Sequence, residues 1–385
     1  MDVHRRRILT AAGGAGLALI GGGGLFSVTR TPEKALAPWH HLDSDPPRDV
    51  RLDALRYAIL APNPHNRQPW KIRLSGDDSA VLYCDLDRRL PETDPYDRQT
   101  LIGFGCFIEL ARMAAAERGV RLDISEFPEG EFKDRLDDRP VALLRFVPRA
   151  AIAKDPLFAW IPKRRSNKVP FDLSRPVAQE ILTDLVNGPN FGVKLFTTAE
   201  IGLVADLRKL TTEAFVVEAA TQRTWLESVR LTRIGKSEIE ARPDGISLGG
   251  ILLDSLAMVG LLSREQIAQP GSIAYGSGLD LIKAAMANTP AYGWIVTDGN
   301  SRREQLATGR AYVRMNLAAA RAGLGFHPNS QALQEYPEMA EKERLVHERL
   351  GVHSGQRVQM LVRLGYGAPV PATPRWPPES HLLGA

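Results

Sequence analysis

The stretch "APNPHNRQPW" (Ala61–Trp70) concentrates hydrogen-bonding side chains in one tight, proline-stiffened bend that ends at a tryptophan. Asparagine side chains in turns often bond to the local backbone. Three amides, those of Asn63, Asn66 and Gln68, are nevertheless many for one bend. A rigid turn of this kind beside an aromatic ring can also present hydrogen-bonding groups to a polar ligand, so we treat the bend as a candidate site.

A second stretch, "PKRRSNKVPFD" (Pro162–Asp172), places Arg164, Ser166 and Lys168 at alternate positions. An extended backbone points alternate side chains to the same side. A phosphate suits this set because the guanidinium gives a two-point contact, the hydroxyl adds a donor and the ammonium adds a nearby charge. Taken alone, the run is better explained as a solvated basic segment. Together with the polar bend, it favours a phosphate-bearing ligand.

Other chemistry-bearing residues form no metal or nucleophile pattern. None of the eight histidines lies in a His-Glu-x-x-His helix, and no Gly-x-Ser-x-Gly elbow is present. We interpret His65 and His327 as structural hydrogen-bonding residues rather than proton-transfer groups. Cys84 and Cys106 are expected to be core thiols, with a single disulfide as the alternative in an exported chain.

The composition is that of a globular protein. The chain has 385 residues, 44% of them hydrophobic and 24% charged, with a formal net charge of +4. This apolar content suffices for one large or two moderate cores. Since no long basic block is present, nucleic acid is disfavoured as the main partner, and an anionic small ligand is compatible with the charge.

Two parts of the chain share a pattern that predicts an internal repeat. The apolar helix predicted at Leu101–Val120 resembles the segment Gly309–Gly325, with its glycines and alanines at matching positions. A predicted strand precedes each helix, at Ala80–Asp85 and at Tyr292–Asp298. The pattern predicts two copies of one α+β unit.

The second copy is the longer one. It contains a degenerate echo of the polar bend, "NGPNFGVKLF" (Asn187–Phe196), and the spacing implies about 80 additional residues between roughly Thr197 and Pro290. The first part of this insert predicts helices and the later part loops. An insertion with its own helices is often a lid or a dimer arm, and a purely structural elaboration is the alternative.

The N-terminus predicts export. Arg5–Arg7 precede an uncharged, glycine-rich apolar stretch from Ile8 to about Thr29, which is the form of a twin-arginine (Tat) signal. A signal is favoured over a permanent anchor because glycine lowers helix propensity. Ala35–Ala37 has the small-x-small form of a cleavage site, but Pro38 follows it. An uncleaved signal that tethers the protein to the outer face of the membrane stays open, and we expect a periplasmic or membrane-face location.

The polar bend and the basic segment resemble those of the FMN-dependent nitroreductases, and within them the tandem, Tat-signalled Acg-like oxidoreductases. The bend is similar to the family's "PS-x-x-N-x-QPW" turn, and "RRSNK" (Arg164–Lys168) to its "R-x-S-x-K/R" segment. The stretches "GLGFHPNSQ" (Gly323–Gln331) and "VRLGYG" (Val362–Gly367) stand where the family has a flavin-edge loop and a closing basic strand. The resemblance covers about Val50 to Ala372.

The resemblance implies an α+β, nitroreductase-like sheet-and-helix fold in which FMN lies at a dimer interface. Here the bend is well formed only in the first copy and the basic segment only in the second. One chain is therefore expected to contain two tandem copies that form an intrachain pseudo-dimer with a single FMN.

The resemblance also implies roles for residues. Arg164, Ser166 and Arg363 would hold the phosphate and ribityl end, and Lys168 would lie by the pyrimidine edge, where its charge stabilises the reduced flavin. The opposite wall and the ring contacts would come from Asn63, Asn66, Gln68, Pro328, Ser330 and Gln331. Asn63-Pro64 replaces the usual hydroxyl pair, and Ser330 stands where classical members often carry an acidic residue.

The predicted domain organisation follows from these matches. It comprises a signal and linker (1–37), a first nitroreductase-like half (38–160), a second half (161–372) with the insert at about 197–290, and a C-terminal tail (373–385).

The predicted function is that of an FMN oxidoreductase with no catalytic residue beyond the flavin itself. Electrons or hydride would pass through FMN to a quinone, nitroaromatic or similar small acceptor, from NAD(P)H or membrane quinol. The alternative is an exported FMN-binding protein that sequesters flavin under the insert. A third interpretation, an azoline-type peptide dehydrogenase, would need a partner complex that nothing in the sequence indicates. No metal is expected.

Overall fold

The computed structural model describes residues 30–149 and 151–384, so the predicted Tat motif and the apolar stretch that follows it lie outside the described residues. The described helices are α1 (Glu33–His40), α2 (Val50–Ala58), α3 (Arg98–Glu117), α4 (Gln179–Val186), α5 (Ile201–Ala220), α6 (Gln222–Arg230), α7 (Gly235–Ala241), α8 (Ile251–Met258), α9 (Arg264–Ala268), α10 (Ile273–Ala287), α11 (Arg302–Arg321) and α12 (Ala340–Arg349). Among the described residues, no helix is both long and apolar enough to cross a membrane.

Two four-stranded antiparallel sheets and one two-stranded parallel sheet accompany these helices. The strands are β1 (Trp70–Ser75), β2 (Ser79–Cys84), β3 (Val120–Glu126), β4 (Ala142–Pro148), β5 (Lys194–Thr198), β6 (Thr232–Ile234), β7 (Ile246–Leu248), β8 (Ala291–Thr297), β9 (Gly325–Pro328) and β10 (Arg357–Gly365). The large sheets have the orders β1-β2-β4-β3 and β5-β8-β10-β9.

The two large sheets are built in the same way. In each sheet, counted in chain order, a helix and a bend lead into the first strand, which lies at an edge, and a long helix follows the second strand. The fourth strand lies between the second and the third. We call β1–β4 with α2 and α3 the first unit, and β5, β8, β9 and β10 with α4 and α11 the second unit. The prediction of mixed helix and sheet content is confirmed.

The long helices of the two units, α3 and α11, pack against each other at a pair of glycines. A Cβ atom added to Gly309 would lie 1.9 Å from the carbonyl oxygen of Ile102, and one added to Gly105 would lie 2.1 Å from that of Leu306. Only glycine allows backbones to approach this closely. The glycines that match in the sequence repeat therefore face each other in the fold, and the buried faces of both helices form the centre of the core.

Most of the insert is helical and lies between β5 and β8, where it contains α5–α10 and the small β6-β7 sheet. The C-terminal segment returns to the first unit, where Leu383 N donates to Ile72 O at 2.7 Å. At the other end, α1 crosses the predicted boundary between residues 37 and 38, because Leu36 and Trp39 pack into the main core. Both cysteines are free and buried, as the core-thiol prediction requires.

Candidate functional site

The polar bend between α2 and β1 is held in an unusual backbone conformation by its own side chains. His65, Asn66 and Gln68 all have positive φ, between 48° and 52°. Such left-handed conformations are costly for residues other than glycine and persist only where the surroundings enforce them. Asn63 provides part of this enforcement, since its Nδ2 donates to Ala61 O at 3.0 Å and its Oδ1 accepts from Gln68 N at 2.7 Å.

Distant segments hold the same bend from outside. Gln68 Nε2 donates to Pro243 O of the insert at 2.7 Å, and its Oε1 accepts from Trp376 N of the C-terminal segment at 2.9 Å. Asn66 Nδ2 donates to Pro374 O at 3.0 Å. The amides predicted to face a ligand thus bind protein groups in this structure, and they fix the bend between the insert and the C-terminal segment.

Arg375 is the main tie between the C-terminal segment and the bend. It is buried, its Nε donates to Ile59 O at 3.0 Å, and its Nη2 donates to Leu60 O and Ala61 O at 3.2 Å each. Its Nη1 donates to Asn66 Oδ1. The backbone carbonyls that end α2 are therefore satisfied by an arginine more than 300 residues away in the chain.

Three arginines gather around the ring of Trp39 on α1. The guanidinium carbons of Arg164, Arg165 and Arg375 lie 5.8, 4.8 and 5.5 Å from the ring centroid. We call this group the arginine cluster. Among the described residues, no carboxylate lies within salt-bridge distance of any of the three. Burial is the largest cause that lowers the pKa of Arg164, to about 10, and the charge of Arg165 lowers it further.

The basic segment runs alongside β9 and β10 of the second unit. Asn167 N donates to Phe326 O at 2.9 Å, and Arg363 Nη2 donates to Val169 O at 3.3 Å. At its start, Arg164 Nη1 donates to Asn316 Oδ1 on α11 at 3.2 Å, and Arg164 Nη2 donates to Leu60 O at 2.9 Å. The predicted basic segment and the predicted bend are therefore adjacent, and Arg164 joins them.

Arg363 is committed to protein partners. It is fully buried, its Nε donates to Thr289 Oγ1 at 2.6 Å, and its Nη1 donates to His327 Nδ1 at 2.8 Å. Since arginine only donates, His327 accepts at Nδ1 and carries its proton on Nε2. Burial, with the charges of Arg363 and Lys168, holds the pKa of His327 well below its usual range. In this arrangement Arg363 orients His327, and its contact with a phosphate stays a prediction.

Lys168 lies where the bend, the insert and the second unit meet. Its charge acts on the pKa of His65, His327 and Glu218. Burial lowers the pKa of Lys168 itself, although the residue remains accessible to water. A charged side chain surrounded by protein and yet open to water lines a recess. In the described part of the chain, neither Lys168 Nζ nor Ser166 Oγ hydrogen-bonds to another group.

Two titratable groups face this recess. His65 Nε2 lies 2.9 Å from Ser228 Oγ of the insert, and burial lowers the pKa of His65 to about 4, aided by the charges of Lys168 and Arg67. Burial raises the pKa of Glu218 on α5 to about 7, against the charge of Lys168. At neutral pH His65 is therefore uncharged, and Glu218 is close to its titration midpoint.

The loop after β9 holds buried amides without partners. Asn329 is fully buried, and neither its Oδ1 nor its Nδ2 has a hydrogen-bond partner. The buried Oε1 atoms of Gln331 and Gln334 are also unpartnered, as is Arg164 Nε. Leaving such groups unpaired costs about 1–3 kcal/mol each. A polar ligand or solvent would complete the bonding of such groups.

The insert is fastened to the bend by one ion pair with Arg67 and to the segment before α3 by a hydrogen bond from Thr93. Asp244 accepts from Arg67 Nη1 at 2.7 Å and from Arg233 Nη2 at 2.9 Å. Glu227 on α6 accepts from Thr93 N at 2.9 Å. Asp244 is buried in this contact, whereas Arg242 is exposed. Asp244 therefore ties the insert to the bend and is not part of a free surface turn.

The sequence-predicted residues divide into three groups. The first group lies at the junction and has polar atoms that bond to no described group: Arg164, Ser166, Lys168 and Gln331. Asn63, Asn66, Gln68 and Arg363 lie beside them but bond to protein. Pro328 ends β9 in register with Val362, and Ser330 is buried with its Oγ 3.6 Å from Met360 Sδ.

Sequence reasoning missed five residues of the site: Trp39, Arg165, Glu218, Asn329 and Arg375. Arg165 and Asn329 lay within quoted motifs and could have been included. The others carry no local signal, because their positions depend on contacts between distant segments. Within the described residues, no group of histidine, cysteine and acidic side chains is arranged to hold a metal ion.

Comparison with known proteins finds one matching family profile. The profile described as "Nitroreductase family" matches residues 161–366. The chain is 25% identical over 359 residues to a Mycobacterium tuberculosis protein named "Putative NAD(P)H nitroreductase Rv3131", which covers 88% of this chain and 94% of the relative.

Two further proteins are similar to this chain. A second Mycobacterium tuberculosis protein, named "Putative NAD(P)H nitroreductase acg", is 26% identical over 345 residues, covering 86% of this chain and 94% of the relative. A crystal structure titled as a putative nitroreductase from Anabaena variabilis is similar with a TM-score of 0.46 and 12% identity, covering 86% of this chain and 91% of that one.

Proposed function

The chain belongs to the nitroreductase family, and on that premise we propose that it is an oxidoreductase that binds one FMN at the junction of the bend and the basic segment. Its acceptor would be a small planar molecule such as a quinone or a nitroaromatic. Its donor would be NAD(P)H or, outside the cytoplasm, membrane quinol.

The arginine cluster carries this proposal. Two of its guanidinium groups, on Arg164 and Arg375, are buried, and in the described chain no carboxylate pairs with them. Burying charge without compensation is costly. A bound dianionic phosphate would supply the missing charge and accept the free N–H groups, among them Arg164 Nε, which is buried and unpartnered.

The residues present fit FMN. Arg164, Arg165 and Ser166 would hold the phosphate, and the unpartnered amides of Asn329 and Gln331 would bond to polar atoms of the ring or the ribityl chain. Lys168 would place a positive charge at one edge of the recess. When bound, FMN would supply the redox chemistry by accepting and releasing hydride or electrons.

The protein's other groups would prepare this site. Arg375 holds the bend in its left-handed conformation, and Arg363 fixes the tautomer of His327, whose Nε2–H can then donate. His65 stays uncharged near neutral pH, so Lys168 contributes the positive charge at the recess. No side chain needs to act as nucleophile.

We further propose that the chain is a tandem pseudo-dimer. The two units have the same strand order, and their long helices cross at matching glycines. The insert and the C-terminal segment are then additions that close the single site. The predicted Tat export, the periplasmic or membrane-face location and the domain boundaries remain proposals of the same kind.

A flavin-sequestering protein is the second candidate. The observation that favours it is the docked insert, since Asp244 and Glu227 fasten it over the bend. Such a protein would bind FMN equally well but would not turn over.

The test is the visible spectrum of the purified chain. We expect a yellow protein with about one FMN per chain, bleached under nitrogen by NADPH, NADH or a reduced quinone, with dithionite as the positive control. The variant Arg164→Gln should lose the flavin, whereas the matched surface variant Arg344→Gln, which removes an exposed arginine of α12, should keep it. A protein that bleaches only with dithionite supports sequestration, and one that cannot be loaded with FMN overturns the assignment.

A further inference from the structure

An apolar surface on the insert is concentrated in one short region. Seven of the thirteen exposed large hydrophobic side chains in the described residues lie between Ile251 and Leu281. Five of them belong to α8 and the turn after it and are between 44% and 70% exposed: Ile251, Leu252, Met258, Val259 and Leu261. We call these five residues the α8 patch.

Exposed charged side chains do not interrupt the α8 patch. From Ile246 to Leu262 the only ionisable residue is Asp254, and it is buried at 2% exposure. Soluble proteins rarely keep several large apolar side chains together in water, and such patches mark contact surfaces. The surface therefore requires an occupant.

The start of the described chain lies against the same helix. Arg30 Nη1 is 3.9 Å from Asp254 Oδ2 on the inner face of α8. Residues 8–29, whose sequence is uncharged and follows three consecutive arginines, are therefore joined to the body beside the α8 patch. A stretch of about 20 apolar residues has the length to span a bilayer.

The predicted cleavage sequence is also part of the folded body. Ala35 is 1% exposed within α1, and its carbonyl oxygen accepts from Arg375 N at 2.9 Å. Peptide bonds in packed helices are poor protease substrates, since cleavage concentrates at exposed termini and loop tips. Cleavage after Ala37 would therefore require α1 to unfold.

We propose that the α8 patch docks on the surface of a lipid bilayer, next to the point where residues 8–29 join the body. An attached apolar stretch holds the patch at high effective concentration near the membrane. Apolar side chains of a surface helix then enter the headgroup boundary, as amphipathic interfacial helices do. The inference does not depend on FMN binding.

Site-specific fluorescence on the full chain tests this docking. Both native cysteines are buried, so a polarity-sensitive dye will label a new surface cysteine selectively. The dye is placed at Val259→Cys in the patch or, as the control, at Glu341→Cys on α12, which is also exposed. Vesicles of phosphatidylethanolamine and phosphatidylglycerol are then added.

We expect a blue shift and loss of aqueous quenching at position 259 and no change at position 341. Vesicle flotation without a change at 259 would mean that the N-terminal stretch alone binds, and it would overturn the proposal. A blue shift without vesicles that grows with protein concentration would assign the patch to a second copy. One that is independent of concentration would assign it to the chain's own N-terminal stretch.

A pair of double variants provides the second measurement. Met258→Ser with Val259→Ser should reduce several-fold the blue shift that vesicles cause in a dye placed at Leu252→Cys. The matched control, Leu173→Ser with Ile201→Ser, removes two exposed hydrophobic side chains elsewhere and should leave that shift unchanged. Equal shifts in both double variants would contradict docking through α8.

Discussion

The bends of the two units are each accompanied by a group of arginines, and the two groups differ in how their charge is balanced. Beside the second bend, Arg310 lies 4.1 Å from the ring centroid of Phe191, much as the arginine cluster surrounds Trp39. There, however, Arg310 donates to Glu109 at 3.1 Å, and Arg314 donates to Glu109 at 3.0 Å and to Asp155 at 2.6 Å.

Carboxylates therefore pair with the arginines of the second region, whereas no described carboxylate pairs with the arginine cluster of the first. A surface cleft at the second bend is lined by Arg112, Asp155, Asn187 and Arg314, and its charges pair within the protein. In the second unit, acidic side chains balance the arginines. In the first unit, the buried arginines have no carboxylate partner among the described residues. This difference explains why we expect one FMN per chain.

The largest expected effect comes from breaking the balanced region. Glu109 is fully buried and accepts from Arg112, Arg310 and Arg314. Glu109→Gln should lower the free energy of unfolding by about 3–5 kcal/mol, because it removes the buried carboxylate that balances three half-buried arginines and leaves Arg310 without its carboxylate partner. Urea denaturation measures this.

The exposed pair between Asp78 and Arg145 is the matched control, and Asp78→Asn should lower the free energy of unfolding far less than Glu109→Gln does. If Glu109→Gln lowered the free energy of unfolding as little as Asp78→Asn does, the Glu109 network would contribute little to stability. The contrast drawn between the two groups of arginines would then fail.

The next effect concerns the carboxyl group at the recess. Unlike Glu109, Glu218 has no arginine partner and keeps its Oε2 unpartnered. Burial raises its pKa from 4.5 to about 7, with Glu227 raising it further and Lys168 opposing the rise. The raised pKa means that the protonated form stabilises the fold below pH 4.5, and that this stability is lost as the pH rises through about 7.

Glu218→Gln should remove this dependence, so that the difference in unfolding free energy between variant and wild type changes by about 2–3 kcal/mol between pH 4.5 and pH 8. Unfolding in urea at a series of pH values measures it. Parallel curves for the two proteins would exclude the raised pKa.

A smaller effect is expected when a carboxylate partner is introduced beside the arginine cluster of the first region. Asn316 is buried and accepts from Arg164 Nη1 at 3.2 Å. Asn316→Asp would give Arg164 a carboxylate partner, which should stabilise the flavin-free chain by about 1 kcal/mol. The same charge should repel the phosphate and weaken FMN binding by about tenfold.

Thermal unfolding and fluorescence titration with FMN check the two effects of Asn316→Asp. Weaker stability together with unchanged FMN affinity would place the phosphate elsewhere.

The sequence was a good guide to elements with strong periodicity. The helix expected at Leu101–Val120 is α3, the strands expected at Ala80–Asp85 and Tyr292–Asp298 are β2 and β8, and the matched glycines form the helix crossing. Each of these signals is local, since it depends on side-chain pattern or on close backbone packing.

The rest of the site depends on partners that no local pattern reveals. Gln68 was expected to face a ligand, because the resemblance places it in the flavin wall, but it bonds to Pro243 and Trp376 in distant segments. Arg375 lies in a segment without periodicity, so nothing near it in sequence predicts its role. Hydrogen bonds between distant segments decide which polar groups stay free for a ligand.

The most direct test of the uncompensated arginine cluster is a comparison of FMN with riboflavin, which lacks the phosphate, in the wild type and in Arg164→Gln. Wild-type protein should bind FMN more tightly than riboflavin by about tenfold or more, as a charge-assisted contact of about 1.5–3 kcal/mol requires. In Arg164→Gln most of this preference should disappear, with riboflavin affinity nearly unchanged. Equal affinities of the wild type for the two flavins would contradict the account.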